Sequence, residues 1–357
     1  MKSVAHAVGV SVMTVSRVLR NRPEIKPETR RRVWAEVAAQ GYKPNPLVSA
    51  LMTQLKTKKK VGDGAMLALV HCLPEGYELS ENMMTFREAA RARARDLGYG
   101  LIEFYLRDYG MIINRIVEIL QSRGIRGIIF EHFFTHGHRF NGNFSSFACV
   151  ALGNSIAHPE FHRIASDQFR EMQIALHQAE SRGYSRIGYA TLREVEILCN
   201  YQRMAALALA QSYMERSQIV PRLEVESFES LEQELLAWYE RHRPDVILTQ
   251  HPASYRFLMD AGIRIPEDVG FLHLGYNAKF THVGGVDPNW RQRGVSAVDR
   301  VVNQLNRNEF GVPESPTVTY VKSEWVEGPS LREVGLHSSG AEMREFETSL
   351  KAGVEMS

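Results

Sequence analysis

The side chains around Arg17 have the chemistry needed to contact the bases and phosphates of DNA. A guanidinium group can donate two hydrogen bonds to O6 and N7 of a guanine. Apolar side chains can contact a thymine methyl group, and hydroxyl groups suit phosphate oxygens. The sequence therefore predicts a DNA-contacting set that consists of Ser11, Val12, Met13, Thr14, Ser16 and Arg17.

Two short helices joined by a tight turn would hold this set in place. The first ten residues carry apolar side chains at helical spacing, and Gly9 can adopt the positive φ of a tight turn. Ser11 is placed to cap a second helix that runs to about Leu19. Val15 and Val18 form an inward stripe on that helix, so the DNA-contacting set is expected on its outer side.

The charge distribution also points to DNA at this end of the chain. Residues 1–60 contain thirteen Lys or Arg and three Glu, whereas the whole chain of 357 residues has a net charge of only +2. The remainder is therefore acidic. A duplex would be attracted to the amino-terminal end and repelled by the rest, which orients an encounter before any base is contacted.

Two further helices are predicted before residue 60. Pro27 suits the first turn of a third helix that ends at Gly41, which completes a three-helix headpiece. Asn45 can cap a fourth short helix with Pro46 at its first position, and apolar residues four apart, Leu51 among them, line one side of it. A basic tract follows, from residue 56 to residue 60.

The headpiece resembles the lac repressor and galactose repressor family of transcription regulators. The motifs GVSxxTVSRVL, PETRxRV and GYxPNxxxxxL occur in the family's order and spacing over residues 9–51. The resemblance implies a repressor that binds a palindromic operator in double-stranded DNA as a homodimer. It also implies that residues 44–60 form a hinge helix, in which Asn45 contacts DNA and Leu51 inserts between base pairs of the minor groove.

Short apolar runs alternate with long helical patterns after residue 65. Such alternation is typical of parallel sheets with helices on both faces, in an α/β fold. Strands are expected at seven places and helices between them. The predicted strands span residues 65–71, 101–106, 127–131, 148–152, 186–191, 245–250 and 269–275, and the predicted helices span 85–97, 111–122, 169–181, 202–214, 231–242 and 293–306.

The resemblance extends this pattern to two subdomains around an effector site, as in periplasmic sugar-binding proteins. It implies a headpiece over 1–43, a hinge over 44–60, an effector domain over 61–332 and a flexible tail over 333–357. The first subdomain is expected to comprise about 61–156 and 288–318, and the second about 157–287 and 319–332.

Candidate effector-binding residues come from two sources. By resemblance, Arg203 grips effector hydroxyls or carboxylates, Asp167 follows the crossover into the second subdomain, and Asn277 stands where the family usually has an effector-binding Asp. Polar residues after predicted strands supply the others, because ligands of α/β sheets bind at the carboxyl ends of strands. These further candidates are His71, Glu131, Asn154, His251 and Trp290. A sugar is the leading effector class.

Composition and motifs limit the other functions. Apolar runs are too short for a membrane helix, and three widely spaced cysteines indicate no disulfide framework, so a cytoplasmic, nucleoid-associated protein is expected. No catalytic motif is present, and neither a cofactor nor a metal is predicted, although the His-rich segment 131–138 has suitable zinc ligands without a zinc-site spacing. The alternative hypothesis is a sugar-binding receptor whose head binds DNA without sequence specificity.

Overall fold

The computed structural model describes residues 2–19, 25–40, 65–73, 76, 79–276 and 280–333. The chain divides into two units, residues 1–64 and residues 65–357, which are considered separately. Several predicted features lie outside the described residues: Asn45, Leu51, the hinge segment, Asn277 and the tail beyond residue 333.

The first unit contains the three predicted headpiece helices. They are α1 (Lys2–Val8), α2 (Val12–Leu19) and α3 (Pro27–Ala39). Their apolar faces form one small core of buried valines, to which each helix contributes: Val4, Val8, Val15, Val18, Val33 and Val37. A hydrogen bond of 2.7 Å from Arg32 Nη2 to the carbonyl of Val8 ties α3 to the end of α1.

The second unit alternates strands and helices. Its strands are β1 (Met66–His71), β2 (Gly100–Tyr105), β3 (Gly127–Phe130), β4 (His138–Arg139), β5 (Ala148–Leu152), β6 (Ile156–His158), β7 (His162–Ser166), β8 (Ile187–Leu192), β9 (Leu223–Val225), β10 (Val246–Thr249), β11 (Gly270–Leu274), β12 (Gly284–Asp287), β13 (Val318–Val321) and β14 (Glu324–Val326). Its α-helices are α4 (Glu81–Asp96), α5 (Ile113–Ser122), α6 (Gln168–Glu180), α7 (Arg193–Leu198), α8 (Gln202–Gln211), α9 (Phe228–His242), α10 (Ala253–Asp260) and α11 (Trp290–Arg307).

Two six-stranded sheets define two subdomains. The first sheet has the order β13-β7-β5-β3-β1-β2, and all its strand pairs are parallel. The second has the order β14-β12-β11-β10-β8-β9 and is parallel except for the β12–β14 pair. This architecture confirms the predicted α/β fold with two parallel-sheet subdomains.

The chain crosses between the sheets at positions that differ from those expected. Strand β7 pairs with β5, so the first crossing follows Ser166 rather than residue 156. Strand β13 pairs with β7 in the first sheet, so the last crossing follows Val321 rather than residue 318. Strand β7 was not predicted because it begins with the polar residues His162 and Arg163 and therefore does not form a continuous apolar run. The middle crossing falls after Asp287, at the end of β12.

Each sheet is covered by helices on both faces, which buries its central strands, such as β3 and β5 in the first sheet and β10 and β11 in the second. In the first subdomain, phenylalanines such as Phe130 and Phe161 fill one face, and α4 and α11 cover the other. Gly294 allows the close contact between α11 and α4, because a Cβ at this position would collide with the carbonyl oxygen of Phe86. This contact fixes the start of α11, which carries Trp290.

All seven predicted strands and all six predicted helices of the second unit are present, with ends shifted by a few residues. The shortest elements were not predicted, among them α7, α10 and the strands β9 and β12–β14. Among the described residues, no helix is both long enough and apolar enough to cross a membrane.

Candidate functional site

Helix α2 begins at a serine cap and has both polar and apolar side chains on its outer face. Ser11 caps the helix: its Oγ accepts a hydrogen bond of 3.0 Å from the amide of Thr14 and lies 2.9 Å from Thr14 Oγ1. Gly9 has a φ of +71°, which turns the chain from α1 into this cap. The side chains of Val12 and Met13 are 41% and 64% exposed.

The opposite face of α2 packs inward. Val15 and Val18 are fully buried in the headpiece core, whereas Arg17 lies exposed on the outer side with Val12 and Met13. Ser16 belongs to the helix, but its side chain is outside the described set. Five of the six predicted DNA-contacting residues are therefore placed by described side chains at the cap or on the accessible side of one helix.

A second candidate site lies where strands of both sheets end. We call it the buried polar cluster, and it consists of His132, Glu171, Glu196, Arg203, Gln250, His273, Trp290 and Arg293. Most of these residues follow the carboxyl end of a parallel strand or lie near it. That edge of an α/β sheet is the usual place for a ligand.

An ion pair forms the centre of the cluster in the second subdomain. Arg203, which is 3% exposed, donates from Nη2 to Oε2 of Glu171 over 2.7 Å. The other carboxylate oxygen of Glu171 accepts a hydrogen bond of 2.9 Å from Ser323 Oγ. Burial opposes the charge of Arg203, but nearby negative groups, Glu171 among them, raise its pKa above the usual value. Burial also raises the pKa of the adjacent Cys199 thiol to about 12.

Glu196 is a second buried carboxylate on the same side. Its Oε1 accepts hydrogen bonds from the hydroxyls of Tyr189 and Thr191, the latter over 2.8 Å, while its Oε2 has no partner among the described residues. Glu196 is on α7, directly after β8, so the end of this strand positions it.

The first subdomain contributes aromatic and cationic groups. The guanidinium of Arg293 lies 3.9 Å from the ring centroid of Trp290, and the His132 ring lies 5.7 Å from the same indole. Asn289 starts α11 in a left-handed conformation and caps it by accepting a hydrogen bond from Gln292 N. The cap directs Trp290 and Arg293, three residues apart, to one side of the helix.

Electrostatics connect the two halves of the cluster. Burial lowers the pKa of His132 to about 4, and the positive charge of Arg293 contributes to that shift. Burial also lowers the pKa of Arg293 to about 10, against which the Glu171 charge acts. The imidazole of His132 is therefore neutral at pH 7, while Arg293 stays protonated.

Many polar atoms of the cluster have no hydrogen-bond partner among the described residues. Buried polar groups in folded proteins are almost always paired, so such atoms point to a missing partner such as a ligand. The unpaired atoms are Arg203 Nε and Nη1, Arg293 Nε, Trp290 Nε1, Gln250 Nε2, His132 Nδ1, His273 Nδ1 and Glu196 Oε2.

The structure brings only part of the predicted effector set into this cluster. Arg203 and Trp290 belong to it. Asp167 instead caps α6, accepting a hydrogen bond of 2.9 Å from Arg170 N. His251 stacks on Phe228 and lies 3.0 Å from Ser254 Oγ.

His71 has partners of its own at the end of β1. Its Nδ1 lies 2.6 Å from Glu131 Oε2, and its Nε2 lies 3.2 Å from Glu103 Oε2. Burial alone would lower the pKa of His71, but the hydrogen bonds and charges of the two glutamates raise it. No group of three or more His, Cys, Asp or Glu side chains suited to a metal ion occurs within the described ranges.

Sequence reasoning did not single out Glu171, Glu196, His273 or Arg293. Arg293 had a usable signal, because it lies one helical turn after Trp290. Glu196 and His273 lie at or just after the ends of predicted strands, which is the signal used for His71 and His251. Glu171 had no such signal, because only the packing of α6 against α8 brings it to Arg203.

Direct contacts also join the two subdomains near the cluster. The amide and the Nδ1 of His136, in the segment after β3, both contact Glu194 Oε1 at the start of α7. Asn154 Nδ2 donates to the carbonyl of Leu198 over 3.0 Å.

A separate surface cavity of about 350 Å³ lies between α8 and β9, and Leu207 and Val220 are among its lining residues. It lacks the unpaired buried groups that mark the polar cluster.

Comparison with known proteins adds to this picture. Residues 1–45 match the family model for bacterial regulatory proteins of the lacI family. The chain is 31% identical over 134 residues to the HTH-type transcriptional regulator RafR of Escherichia coli, an alignment that covers 37% of each protein. It is 47% identical over 55 residues to the regulator GalS of Salmonella typhimurium, which covers 15% of this chain and 16% of GalS. The chain thus spans well under half the length of the curated relatives it matches.

Solved structures share the fold over most of the chain. A lac repressor dimer bound to operator and the anti-inducer ONPF has a TM-score of 0.56 at 17% identity, with 92% of this chain and 98% of that chain covered. A complex of the transcriptional regulator CelR with cellobiose has a TM-score of 0.56 at 15% identity and the same coverage. At these identities the likeness establishes the fold alone.

Proposed function

We propose that this chain, whose residues 1–45 match the family model for bacterial regulatory proteins of the lacI family, is a repressor that binds a palindromic operator as a homodimer under the control of a small-molecule effector. The observation that carries the proposal is the outer face of α2. Arg17, Val12 and Met13 are exposed there, on a helix whose start is capped and whose other face is buried.

The chemistry of this face suits sequence-specific contact. Arg17 can donate two hydrogen bonds to a guanine, and Met13 and Val12 can contact thymine methyl groups in the major groove. Ser11, Thr14 and Ser16 are proposed to bind phosphate oxygens and so to fix the position of α2 on the duplex. A single helix contacts only a half-site, which is why we propose a symmetric dimer on a palindrome.

The segment after the headpiece is proposed to strengthen this interaction. Asn45 would contact DNA, and Leu51 would act as an apolar wedge in the minor groove. Such a wedge kinks DNA at a cost of a few kcal/mol, which is offset by the additional contacts that the bend permits.

The buried polar cluster is proposed as the effector site. Arg203 and Trp290 combine hydrogen-bond donors with an aromatic surface, as sites for polyhydroxylated ligands do. Asp167, His71, His251 and Asn277 are proposed to contribute from its surroundings. Solved relatives contain cellobiose, glucose or sucrose, which supports a sugar or a sugar derivative as the effector class.

The cluster also suggests how the effector acts. Its residues come from both subdomains, so a bound ligand would favour the arrangement in which the two subdomains complete the site. A ligand changes DNA binding only if it binds the two arrangements with different affinity.

Selection of genomic DNA fragments by the purified full-length protein, at one fixed salt concentration, tests the DNA-binding part of the proposal. We expect an enriched palindrome whose half-sites are about one helical turn apart, or a multiple of that spacing. Retention of fragments without any shared site would contradict sequence-specific binding and would favour a receptor whose head binds phosphates only.

A further inference from the structure

Arg293 is a buried cation that has no carboxylate partner among the described residues. Its side chain is only 6% exposed and lies against Trp290. Its Nε has no hydrogen-bond partner among the described residues, and no described Asp or Glu forms an ion pair with its guanidinium. A buried charge is costly unless an opposite charge or hydrogen bonds compensate it.

The other buried arginines of the second unit each form an ion pair with a carboxylate, which Arg293 does not among the described residues. Three arginines are buried in the described part of the chain: Arg182, Arg203 and Arg293. Arg182 donates from Nη2 to both carboxylate oxygens of Glu327 at 2.7 Å, and Arg203 donates to Glu171 at 2.7 Å. Arg293 alone of the three lacks such a partner.

Glu171, the carboxylate whose charge acts on Arg293, already has hydrogen-bond partners for both of its oxygens. Both oxygens of Glu171 accept hydrogen bonds, one from Arg203 and one from Ser323. His132, which lies on the same indole ring as Arg293, supplies no negative charge, because an imidazole side chain is either neutral or positive. The positive charge of Arg293 remains available to a ligand.

The unpaired atoms of the cluster are mostly donors. Arg203 contributes two unpaired donor nitrogens, and Arg293, Trp290 and Gln250 contribute one each. His273 Nε2 donates to the carbonyl of Gln250 over 2.9 Å, so the Nδ1 of the neutral ring is an acceptor. Glu196 Oε2 is the other fixed acceptor. His132 Nδ1 is a donor or an acceptor according to the tautomer. Five donor nitrogens against two or three acceptor atoms suit a ligand that is rich in acceptor oxygens.

We propose that the effector is a sugar acid, with its carboxylate on the guanidinium of Arg293 and its hydroxyls on Arg203, Gln250, Glu196 and His273. The inference rests on the proposed effector role of the cluster and specifies the ligand class. A carboxylate carries the single negative charge that one unpaired guanidinium compensates, and charge-assisted hydrogen bonds to it are strong. A phosphate ester carries up to two negative charges, which is more than the single positive charge of Arg293 can compensate.

Isothermal titration calorimetry of the full chain without DNA tests the ligand class. The probes are D-glucuronate, D-galacturonate and D-gluconate, the neutral sugars D-glucose and D-galactose, and D-glucose 6-phosphate. We expect at least one acid to bind at least about tenfold more tightly than its neutral counterpart, the effect of one charged hydrogen bond. Tightest binding of a neutral sugar or of the sugar phosphate, or no binding of any acid, would overturn the proposal.

Variants of α11 test the role of Arg293 itself. Arg293→Gln removes the charge and should abolish the preference for the acid over the neutral sugar, whereas Arg293→Lys should retain part of it. Arg291→Gln removes an exposed arginine two residues earlier on the same helix and should leave the preference unchanged. An unaltered preference in Arg293→Gln would overturn the assignment. The ratio of the affinities of the wild-type chain for the acid and for its neutral counterpart decides the ligand class even if a variant folds poorly.

The outcome is separable from the proposed function. An acid that binds the chain but leaves operator affinity unchanged would support this inference and contradict effector control. An operator affinity that changes only with a neutral sugar would support effector control and contradict this inference.

Discussion

Arg203 on α8 and Glu171 on α6 form a buried ion pair, with 2.7 Å between Nη2 and Oε2. Their side chains are 3% and 1% exposed, so the pair is almost fully removed from water. It holds two helices of the second subdomain together and at the same time aims the remaining N–H groups of Arg203 into the buried polar cluster. One residue thus serves both the stability of the subdomain and the proposed site.

Glu171→Gln should destabilise the folded chain strongly. The substitution leaves the charge of Arg203 buried without its carboxylate, and removal of one partner of a buried pair typically costs about 3–5 kcal/mol. Urea unfolding followed by circular dichroism measures the free energy of unfolding. Glu240→Gln, on the exposed side of α9, is the control and should change that free energy by less than about 0.5 kcal/mol. Equal stability of the two variants would show that the pair is not needed for folding.

The positions of the apolar runs predicted most of the second unit, because buried parallel strands are continuous apolar segments such as Gly127–Phe130. Strand β7 escaped prediction since His162 and Arg163 interrupt that pattern. In the headpiece, Ser11 and the valine spacing sufficed, because a cap and one helical stripe are local properties.

The proposed effector site was harder to predict from the sequence. Arg203 and Trp290 were predicted, but their partners Glu171 and Arg293 were not. The contact between Glu171 and Arg203 depends on how α6 packs against α8, and no local pattern encodes that distance. Conversely, His71 is at the carboxyl end of a strand, where a ligand-binding residue would be expected, yet both its ring nitrogens lie close to glutamates.

Acid should weaken the fold through two buried histidines. Burial lowers the pKa of His132 and of His273 from 6.5 to about 4. The unfolded chain therefore binds their protons at a higher pH than the folded chain does, and the free energy of unfolding falls between about pH 6.5 and about pH 4. His71 acts in the opposite sense: its pKa is raised, so its contribution is complete below about 6.5 and is lost as the pH rises through the folded value.

The histidine prediction is checked by urea unfolding of wild type and His273→Gln at several pH values. The glutamine cannot be protonated, so the stability of wild type relative to the variant should decrease as the pH falls through this window. His6→Gln, which changes an exposed residue of the headpiece, is the control. A difference that does not vary with pH would contradict a depressed pKa for His273.

Ser11→Ala should loosen the start of α2. Loss of a serine cap costs about 1 kcal/mol, because the amide of Thr14 loses its acceptor. Hydrogen exchange of the α2 amides, followed by nuclear magnetic resonance, measures the change, and we expect about fivefold faster exchange in the first turn. Arg31→Ala on the exposed side of α3 should leave these rates unaltered. Unaltered exchange in Ser11→Ala would mean that the cap contributes nothing.

Arg17→Ala should relax specificity at one base pair in each half-site. The loss of a bidentate contact to guanine costs about 1–3 kcal/mol of discrimination at that position. Selection from a library of operator variants measures the preference at every position. Arg31→Ala again serves as the control, since it removes a positive charge from the same unit without changing α2. Identical position preferences in wild type and Arg17→Ala would exclude Arg17 from base contact.

We propose that a ligand of the buried polar cluster controls the binding of DNA by α2. The most direct test measures the affinity of the full chain for its selected operator by fluorescence anisotropy, at fixed salt, with and without the compound that binds the chain most tightly. We expect a change of about 5–150-fold in operator affinity. Arg203→Lys keeps a positive charge beside Glu171 but places its donors on a single nitrogen in place of the planar guanidinium, so its operator affinity without ligand should be normal and its response much smaller. Operator affinity that is the same in wild type with and without saturating ligand would contradict the claim.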